Sequence, residues 1–288
     1  MKRTVKIILQ YFLAIVCSLV IALLFRLFVV DFYVIPSDSM SPAIEPGDFI
    51  LVDKLSFGAR MYEDFDFLKN GTEPKIWRVK GFLPIRHGDV LVFNFPYSKR
   101  LDRIRMHLSR FYVKRCIGLP GDTLCIRNAF YEINGKKGFG NLEEQQALST
   151  FKGEYPPGIF RTIPFHSRID WNIQNMGPLY IPRKGDKIQL DSMSCRLYRK
   201  MIEYESGLNL HERGEKIYAG DSLIEHYVFR TNWYFMGGDK MWNSQDSRYI
   251  GLIPEEFMIG KAILVLSSQD KETEKYRWCR FFTRIRRE

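Results

Sequence analysis

Ser39 and Lys114 carry the side chains that acyl transfer needs, a hydroxyl to attack a carbonyl and an amine to take its proton. Ser39 lies between Pro36 and Pro42, which keep this stretch out of a helix and favour an exposed turn. Lys114 lies within the run Phe111 to Ile117, which contains no acidic residue. A serine paired with a neutral lysine can carry out acyl transfer without histidine. We therefore take Ser39 as the candidate nucleophile and Lys114 as the candidate base.

The candidate base must be uncharged to accept a proton. The pKa of Lys114 would have to fall from about 10.4 toward about 7, a change of roughly 4 to 5 kcal/mol, which burial can supply. In a strand, Lys114 shares a face with Tyr112 and Cys116, which offer an apolar or weakly polar surrounding rather than a carboxylate. Taken alone, a turn serine more often caps its own backbone, and a lone strand lysine more often extends to solvent.

The segment from Ile7 to Val30 is almost continuously apolar and predicts a membrane anchor. As a helix it would be about 36 Å long, enough to cross a bilayer. Three basic residues before it predict a cytoplasmic N-terminus and export of the chain beyond it, and they are Lys2, Arg3 and Lys6. Arg26, near the far end, can extend to the membrane interface. A cleaved signal peptide is the alternative, but its apolar core should be shorter and should end in small residues.

The exported region is predicted to be mainly β, because short β-branched or alternating runs are separated by glycine and proline. The predicted strands are Asp48 to Val52, Asp89 to Asn94, Phe111 to Ile117, Thr123 to Arg127, Ile188 to Leu190, Tyr227 to Phe235 and Met258 to Leu266. One helix is predicted near Ser194 to Ser206.

Composition and charge narrow the classes of partner. The net charge of +10 favours an anionic partner, and the apolar anchor favours a lipid surface over nucleic acid, for which no motif is present. The five histidines are scattered and no CxxC motif occurs, so no metal site is predicted. If the region is exported, Cys116, Cys125, Cys195 and Cys279 could form disulfides, although buried free cysteines fit the pattern as well.

The C-terminal segment from Lys275 interleaves arginines with aromatic residues. The pattern predicts either an amphipathic segment lying on anionic headgroups or a solvated, frayed terminus. Both alternatives stay open from the sequence.

Four sequence boxes occur in the order found in one protease family. They are IPSDSMSPAIEPGDFILVDK at Ile35 to Lys54, HGDVLVFNFP at His87 to Pro96, YVKRCIGLPGD at Tyr112 to Asp122 and FMGGDKMWNSQDSRYIG at Phe235 to Gly251. With the apolar N-terminal segment, they resemble the signature boxes of type I signal peptidases, the membrane-bound serine/lysine proteases that remove signal peptides. In layout the resemblance spans roughly Lys2 to Leu266.

The resemblance implies a signal-peptidase-like β catalytic core with an inserted domain rich in strands and loops. The implied segments are a cytoplasmic N-terminus 1–6, one transmembrane helix 7–30, a discontinuous core 31–127 and 227–266, an insertion 128–226 and a basic aromatic tail 267–288. The implied activity is removal of N-terminal signal peptides from exported preproteins through an acyl-enzyme, without cofactor or metal. The implied location is the bacterial cytoplasmic (inner) membrane, with a single pass and the catalytic domain outside, and the implied partners are preproteins and the bilayer.

The resemblance also assigns roles to individual residues. It makes Ser39 the nucleophile and Lys114 the general base, with the Ser37 hydroxyl and the Ser39 backbone N–H as oxyanion donors and Ser244 orienting the lysine. Arg115 with Asp239, and Asp246 with Arg248, would be structural ion pairs beside the site. The implied substrate pocket, which prefers alanine-like residues, consists of Tyr33, Ile35, Pro36, Met40, Ile44, Ile50, Tyr112 and Val113.

Several residues depart from the resembled pattern. Asp38 replaces a glycine beside the nucleophile, Lys240, Met241 and Trp242 replace a polar run, and Gln245 replaces a small residue. These departures support a catalytically weak or noncatalytic signal-peptide-binding relative as the alternative function. The soluble self-cleaving repressor peptidases are a further alternative, which the apolar anchor disfavours.

Overall fold

The computed structural model describes residues 2–64, 74–97, 102–214 and 216–287. It begins with a long helix, α1 (Lys2–Phe28), whose apolar side chains are exposed. Among the residues described, α1 alone is long and apolar enough to cross a membrane, over Val5–Phe28 with a mean hydropathy of 2.7. The predicted anchor is two residues too long, because Val30 already pairs with Asp53 as the first residue of a strand.

The junction between α1 and the rest of the chain is held by charged contacts. Lys54 Nζ donates to the Arg26 carbonyl at 2.9 Å and lies 3.0 Å from the Asp31 carboxylate. Arg26 itself lies 3.4 Å from Asp31, so the cation pairs just beyond the end of the apolar segment. The lysine also satisfies a carbonyl that the helix end would otherwise leave without a partner.

The other elements follow in chain order. The helices are α2 (Leu142–Thr150), α3 (Ser192–Ser206) and α4 (Ser247–Ile250). The strands are β1 (Val30–Val34), β2 (Asp48–Asp53), β3 (Arg60–Tyr62), β4 (Ile76–Arg78), β5 (Val90–Phe95), β6 (His107–Gly118), β7 (Thr123–Arg127), β8 (Phe130–Ile133), β9 (Lys136–Lys137), β10 (Met176–Tyr180), β11 (Lys187–Gln189), β12 (Leu210–Arg213), β13 (Lys216–Ala219), β14 (Ser222–Ile224), β15 (His226–Val228), β16 (Trp233–Gly237), β17 (Ile253–Pro254), β18 (Met258–Ser268) and β19 (Thr283–Arg284).

The largest sheet has the order β1-β2-β18-β5-β6-β16-β17, with β19 pairing to β18. Its central strand β5 is buried on both faces. Leu91 and Phe93 point into the larger apolar core, and Val90 and Val92 point into a smaller one. Because successive side chains of a strand alternate between faces, this sheet separates two cores. The protein is mainly β, as predicted.

The smaller core lies beneath the turn between β1 and β2. It combines Met40 and Ile44 from that turn with Ile50 from β2 and Val265 from β18. Burial of these side chains fixes the turn against the sheet, since each buried aliphatic side chain contributes roughly 1.5 to 3 kcal/mol.

The segment 128–226 contributes β8, β9 and β10, which join β7 in a second sheet of order β10-β7-β8-β9, together with α2, α3 and smaller hairpins. Its apolar side chains join the larger core, where Tyr131, Leu148 and Ile173 lie in the same cluster as Phe235 and Met236 of β16. The segment 128–226 and the largest sheet thus share one apolar core.

One predicted strand, Tyr227 to Phe235, is wrong, because the structure divides it into β15 and β16. β15 pairs with β11, whereas β16 joins the main sheet. Between them the chain bends around Glu205, whose carboxylate accepts from the Arg230 N–H at 2.8 Å and from the Trp233 indole N–H at 2.8 Å. Of the other predicted strands, β7 has the predicted bounds, the rest are present with shifted ends, and β6 is longer than predicted.

The predicted helix near Ser194 to Ser206 is α3, which begins at Ser192. Asp191 caps its first turn by accepting from the Ser194 N–H at 2.7 Å, and the Ser194 hydroxyl accepts in return from the Asp191 N–H at 2.8 Å. Gly207 ends it in a left-handed conformation with φ of 73°.

The C-terminal tail is packed against the largest sheet, so the alternative of a frayed terminus is wrong. β19 pairs with β18, and Arg280 donates to both carboxylate oxygens of the buried Asp48, at 3.0 and 2.6 Å. Arg287 lies 2.5 Å from the buried Asp89. Trp278 and Phe282 stay exposed. The arginines that the sequence presented as a free basic surface are partly used inside the fold.

The cysteines are unpaired in this structure: Cys116 and Cys195 are buried, Cys125 is partly buried, and Cys17 and Cys279 are exposed. The possible disulfides among the four exported cysteines are therefore absent.

Candidate active site

Ser39 lies in the turn between β1 and β2, which begins and ends on one hydrogen-bonded neck. The Ile35 N–H donates to the Asp48 carbonyl and the Gly47 N–H to the Ile35 carbonyl, both at 2.9 Å. Met40 and Ile44 anchor the turn in the smaller core. Because its neighbour Met40 points into that core, the Ser39 side chain is free to turn toward β6.

Lys114 lies in the middle of β6, opposite Leu91 of β5, and is only 4% exposed. Its Nζ and the Ser39 Oγ are 2.5 Å apart, within hydrogen-bond distance. Burial lowers the pKa of Lys114 from 10.5 to about 8. A lysine with this pKa has a neutral form within reach of neutral pH, so the pair can exchange a proton.

Two buried ion pairs lie beside the base. Arg115 holds Asp239 with two hydrogen bonds, at 2.6 and 2.5 Å, and Arg248 holds Asp246 in the same way, at 2.9 and 2.7 Å. Both carboxylates act to raise the pKa of Lys114, and Arg248 acts to lower it. Asp246 also accepts from the Gly238 N–H at 2.9 Å, which fixes the last box against β16.

Ser244 lies close to this cluster, but its hydroxyl makes no hydrogen bond to the base. Its Oγ is buried beside the Asp246 carboxylate and contributes to lowering the pKa of that carboxylate. A Cβ placed on Gly238 would come within 2.0 Å of the Ser244 Oγ and 2.8 Å of the Ser39 carbonyl. Glycine at position 238 therefore lets the last box approach the nucleophile, and the orienting role of Ser244 stays a prediction.

A cleft of about 410 Å³ opens onto the pair and is lined by both residues. Ser37 is exposed and lines the cleft, so its hydroxyl is available to a substrate. Five residues of the predicted substrate pocket also line it: Ile35, Pro36, Met40, Tyr112 and Val113.

The other three predicted pocket residues do not line this cleft. Ile44 and Ile50 are fully buried beneath it in the smaller core, because their side chains face inward from the turn and from β2. Tyr33 packs against the same core and against the Phe111 ring, with ring centroids 5.3 Å apart. In this structure these residues support the cleft rather than surround a substrate side chain.

The residues that differ from the resembled pattern make contacts that the sequence did not reveal. Asp38 pairs with Lys240 and accepts from Asn243 Nδ2 at 2.8 Å. Gln245 accepts from the Tyr112 hydroxyl at 2.6 Å. The two carboxylate contacts join residues about 200 positions apart, as the separations of 202 and 205 show, so no local pattern could have revealed them.

The remaining departures are packing residues. Met241 is buried in the larger core. Trp242 stacks on Tyr155 and meets the Phe151 ring edge-on, with centroid distances of 5.6 and 4.5 Å. The box that holds Asp246 is thus packed against the inserted segment. Within the described ranges, no group of three or more His, Cys, Asp or Glu side chains could hold a metal ion.

Comparisons with known proteins identify the family of this chain. The model of the family described as "Signal peptidase, peptidase S26" matches residues 8–267. The signal peptidase I of Buchnera aphidicola from Baizongia pistaciae is 27% identical over 271 residues, covering 90% of this chain and 77% of the relative. That of Buchnera aphidicola from Schizaphis graminum is 31% identical over 264 residues, covering 88% and 73%. That of Pseudomonas fluorescens is 28% identical over 261 residues, covering 87% and 69%. Because the family model matches nearly the whole chain, this protein belongs to the signal peptidase family, peptidase S26.

Proposed function

We propose that this protein is a membrane-anchored serine endopeptidase that removes N-terminal signal peptides from exported preproteins. The observation that carries the proposal is the 2.5 Å contact between the Ser39 Oγ and the Nζ of a lysine that is 4% exposed. Membership of the signal peptidase family supports the substrate class. The exposed apolar helix α1 supports a membrane location.

In the proposed first half-reaction, the Ser39 Oγ attacks the carbonyl carbon before the scissile bond while its proton moves to the neutral Lys114 Nζ. The negative charge that forms on the carbonyl oxygen is stabilised by the Ser39 backbone N–H and the Ser37 hydroxyl. The intermediate then collapses, the C–N bond breaks, and Lys114 returns the proton to the leaving amine. An ester joins the signal peptide to Ser39.

In the second half-reaction, water takes the place of the Ser39 hydroxyl as the nucleophile. Lys114, neutral again, takes a proton from water, and the resulting hydroxide attacks the ester carbonyl. Collapse of this intermediate releases the signal peptide as a carboxylic acid, which loses its proton to solvent, and the proton on Lys114 returns to the Ser39 Oγ. No metal or cofactor is required by this sequence of steps.

The cleft supports a preference for small residues before the cut. Its walls near the nucleophile are apolar, from Ile35, Met40 and Val113, and its floor is closed by the smaller core. Because that core is packed, a large substrate side chain would have to displace buried atoms. A preprotein held in the membrane by its own signal sequence would reach the cleft beside α1.

The orientation follows from the charges at the anchor. We place the N-terminus in the cytoplasm because Lys2, Arg3 and Lys6 precede the apolar helix, and the catalytic sheet outside the cytoplasmic membrane of a bacterium. The partners are then exported preproteins and the bilayer itself.

A gel-shift cleavage assay tests the proposal. A preprotein with alanines before its cut site, already proven cleavable by another signal peptidase, is incubated in detergent with wild type, Ser39→Ala and Lys114→Ala. Cleavage by the wild type alone is expected. No cleavage by a folded wild type would instead favour a signal-peptide-binding relative without catalysis, and cleavage by Ser39→Ala would exclude this nucleophile.

A further inference from the structure

Three carboxylates act on the charge of Lys114, and each is paired with a cation of its own. Asp246 and Asp239 are held by buried arginines, as described above. The third carboxylate belongs to Asp38, which directly precedes the nucleophile and also acts to raise the pKa of Lys114. Its cation is Lys240. Each carboxylate that acts on the base is thus paired with a cation.

The third pair differs from the other two in its position. The Asp38 and Lys240 side chains are 33% and 39% exposed and Asp38 lines the cleft, whereas the arginine pairs are almost completely buried. Asn243 holds the second oxygen of Asp38 at 2.8 Å, and the Lys240 N–H donates to the Ser39 carbonyl at 3.2 Å. The pair therefore also ties the nucleophile turn to the last box.

An unpaired carboxylate at position 38 would oppose the proposed reaction in two ways. It would favour the protonated form of Lys114, which cannot accept a proton, and it would repel the negative charge that develops beside Ser37 and Ser39. Lys240 lowers the pKa of Asp38, so Asp38 is ionised at neutral pH and the compensation is permanent there.

We propose that Lys240 is a positioning residue for the reaction, which acts through Asp38 by cancelling its charge beside the Ser39–Lys114 pair. This inference rests on the proposed function for its effect on cleavage. Its effect on the base is independent of cleavage. Asp38 and Lys240 are therefore expected to depend on one another.

Few groups face Lys114 and could change its pKa. They are the carboxylates of Asp246, Asp239 and Asp38, the Arg248 guanidinium and the Tyr112 ring, whose centroid is 5.6 Å from Nζ. Of the three carboxylate pairs, only that of Asp38 is accessible enough for salt to screen it. Added salt therefore distinguishes the effect of the Asp38–Lys240 pair on the pKa of Lys114 from the effects of the two buried pairs.

A double-variant cycle tests the proposal with Lys240→Ala, Asp38→Asn and the two combined. Two quantities are measured in detergent: the pKa of Lys114, by NMR titration of protein with ¹³C-labelled lysine and with Lys114→Arg to assign the signal, and the pH profile of kcat. Asp38→Asn keeps the shape and an acceptor for Asn243 while it removes the charge. Lys184→Ala, which removes an exposed lysine from the inserted segment, is the control for net charge.

Lys240→Ala alone is expected to raise the pKa of Lys114 and to lower kcat at pH 7 by about two- to fivefold, the range for an exposed ion pair. Adding Asp38→Asn is expected to return both quantities toward the wild-type values, and added salt is expected to reduce the difference. Lys184→Ala is expected to match the wild type.

Two results would overturn the proposal: an unchanged pKa of Lys114 in Lys240→Ala, or a double variant that stays as impaired as Lys240→Ala. The first would show that Lys240 does not act on the base, and the second that its role is not compensation of Asp38. If the wild type cleaves no preprotein, the proposed function fails, and the NMR titration still decides whether the pair controls the charge of Lys114.

Discussion

Lys114 combines burial with balanced neighbouring charges, and this balance explains how it can serve as a base. Burial is the main cause of its lowered pKa, while the nearby carboxylates oppose the change. Because Asp239 and Asp246 are each held by an arginine, their charges raise the pKa of Lys114 only part of the way back to its ordinary value. The result is a pKa of about 8 rather than 10.5.

This pKa predicts the pH dependence of cleavage. Since only neutral Lys114 accepts a proton, kcat should rise by about tenfold per pH unit below pH 8 and level off above it. Lys114→Arg should lose about a thousandfold or more, because an arginine side chain keeps its proton. Initial cleavage rates from pH 6 to 10 measure both. A profile that falls through pH 8, or an active Lys114→Arg variant, would contradict this role.

Ser37 is predicted to act on the transition state alone. It is exposed in the cleft, so its loss should leave the fold and the base unchanged. Ser37→Ala should lower kcat by about 100- to 1000-fold with little change in KM, and Ser37→Thr should retain most of the activity. Equal losses in kcat with alanine and threonine would argue against a hydroxyl donor.

At the scale of elements, the C-terminal tail stabilises the turn that carries the nucleophile. Arg280 pairs with Asp48, whose carboxylate also accepts from the Glu45 N–H at 2.9 Å within that turn. Arg280 donates in addition to the Ala43 carbonyl at 3.2 Å. A segment at the far end of the chain thus holds the part of the turn that leads into β2.

Arg280→Met is therefore expected to leave a buried carboxylate without its cation and to lower the free energy of unfolding by about 3 kcal/mol. Thermal unfolding should show a Tm lower by about 6 to 12 °C. Arg284→Met, at an exposed position of β19, is the matched control and should change little. Adding Asp48→Asn to Arg280→Met should recover part of the loss. A Tm equal to that of Arg284→Met would exclude the buried pair as a source of stability.

The sequence predicted the local parts of the site but not the contacts between distant segments. The turn around Ser39 and the strand around Lys114 each have a local pattern of prolines or apolar residues, and both were identified. The pairs of Asp38 with Lys240 and of Asp48 with Arg280 join residues more than 200 positions apart, with separations of 202 and 232. Such contacts depend on how the sheet is ordered, which hydrophobic periodicity does not specify.

At the scale of the whole molecule, the spacing of the apolar runs predicted the mainly β architecture. It did not predict that the inserted segment shares an apolar core with the largest sheet. The inserted segment was expected as a separate domain, yet Tyr131 and Leu148 lie in the same core as Phe235. Alternation along β8 shows that one face is buried, but not which other element covers it. For the same reason, the sequence could not decide between a lipid-bound and a frayed C-terminal tail.

The orientation in the membrane is testable through Cys279, which is exposed in the tail. A membrane-impermeant maleimide should label Cys279 in intact spheroplasts without permeabilisation. Cys279→Ser gives the background from the other cysteines. Lys6→Cys in that background should be labelled only after permeabilisation. The reverse pattern would place the catalytic sheet in the cytoplasm and contradict the proposed topology.

The central claim, that Ser39 forms an ester with the signal peptide, is tested most directly by mass mapping of the enzyme after a single turnover. Excess protein is mixed with a preprotein, quenched in acid within the turnover time and digested, with Ser39→Ala treated in parallel. We expect the mass of the signal peptide on the fragment that contains Ser39, and no adduct or cleavage in Ser39→Ala. An adduct on another side chain, or product formed at the full rate by Ser39→Ala, would contradict the account.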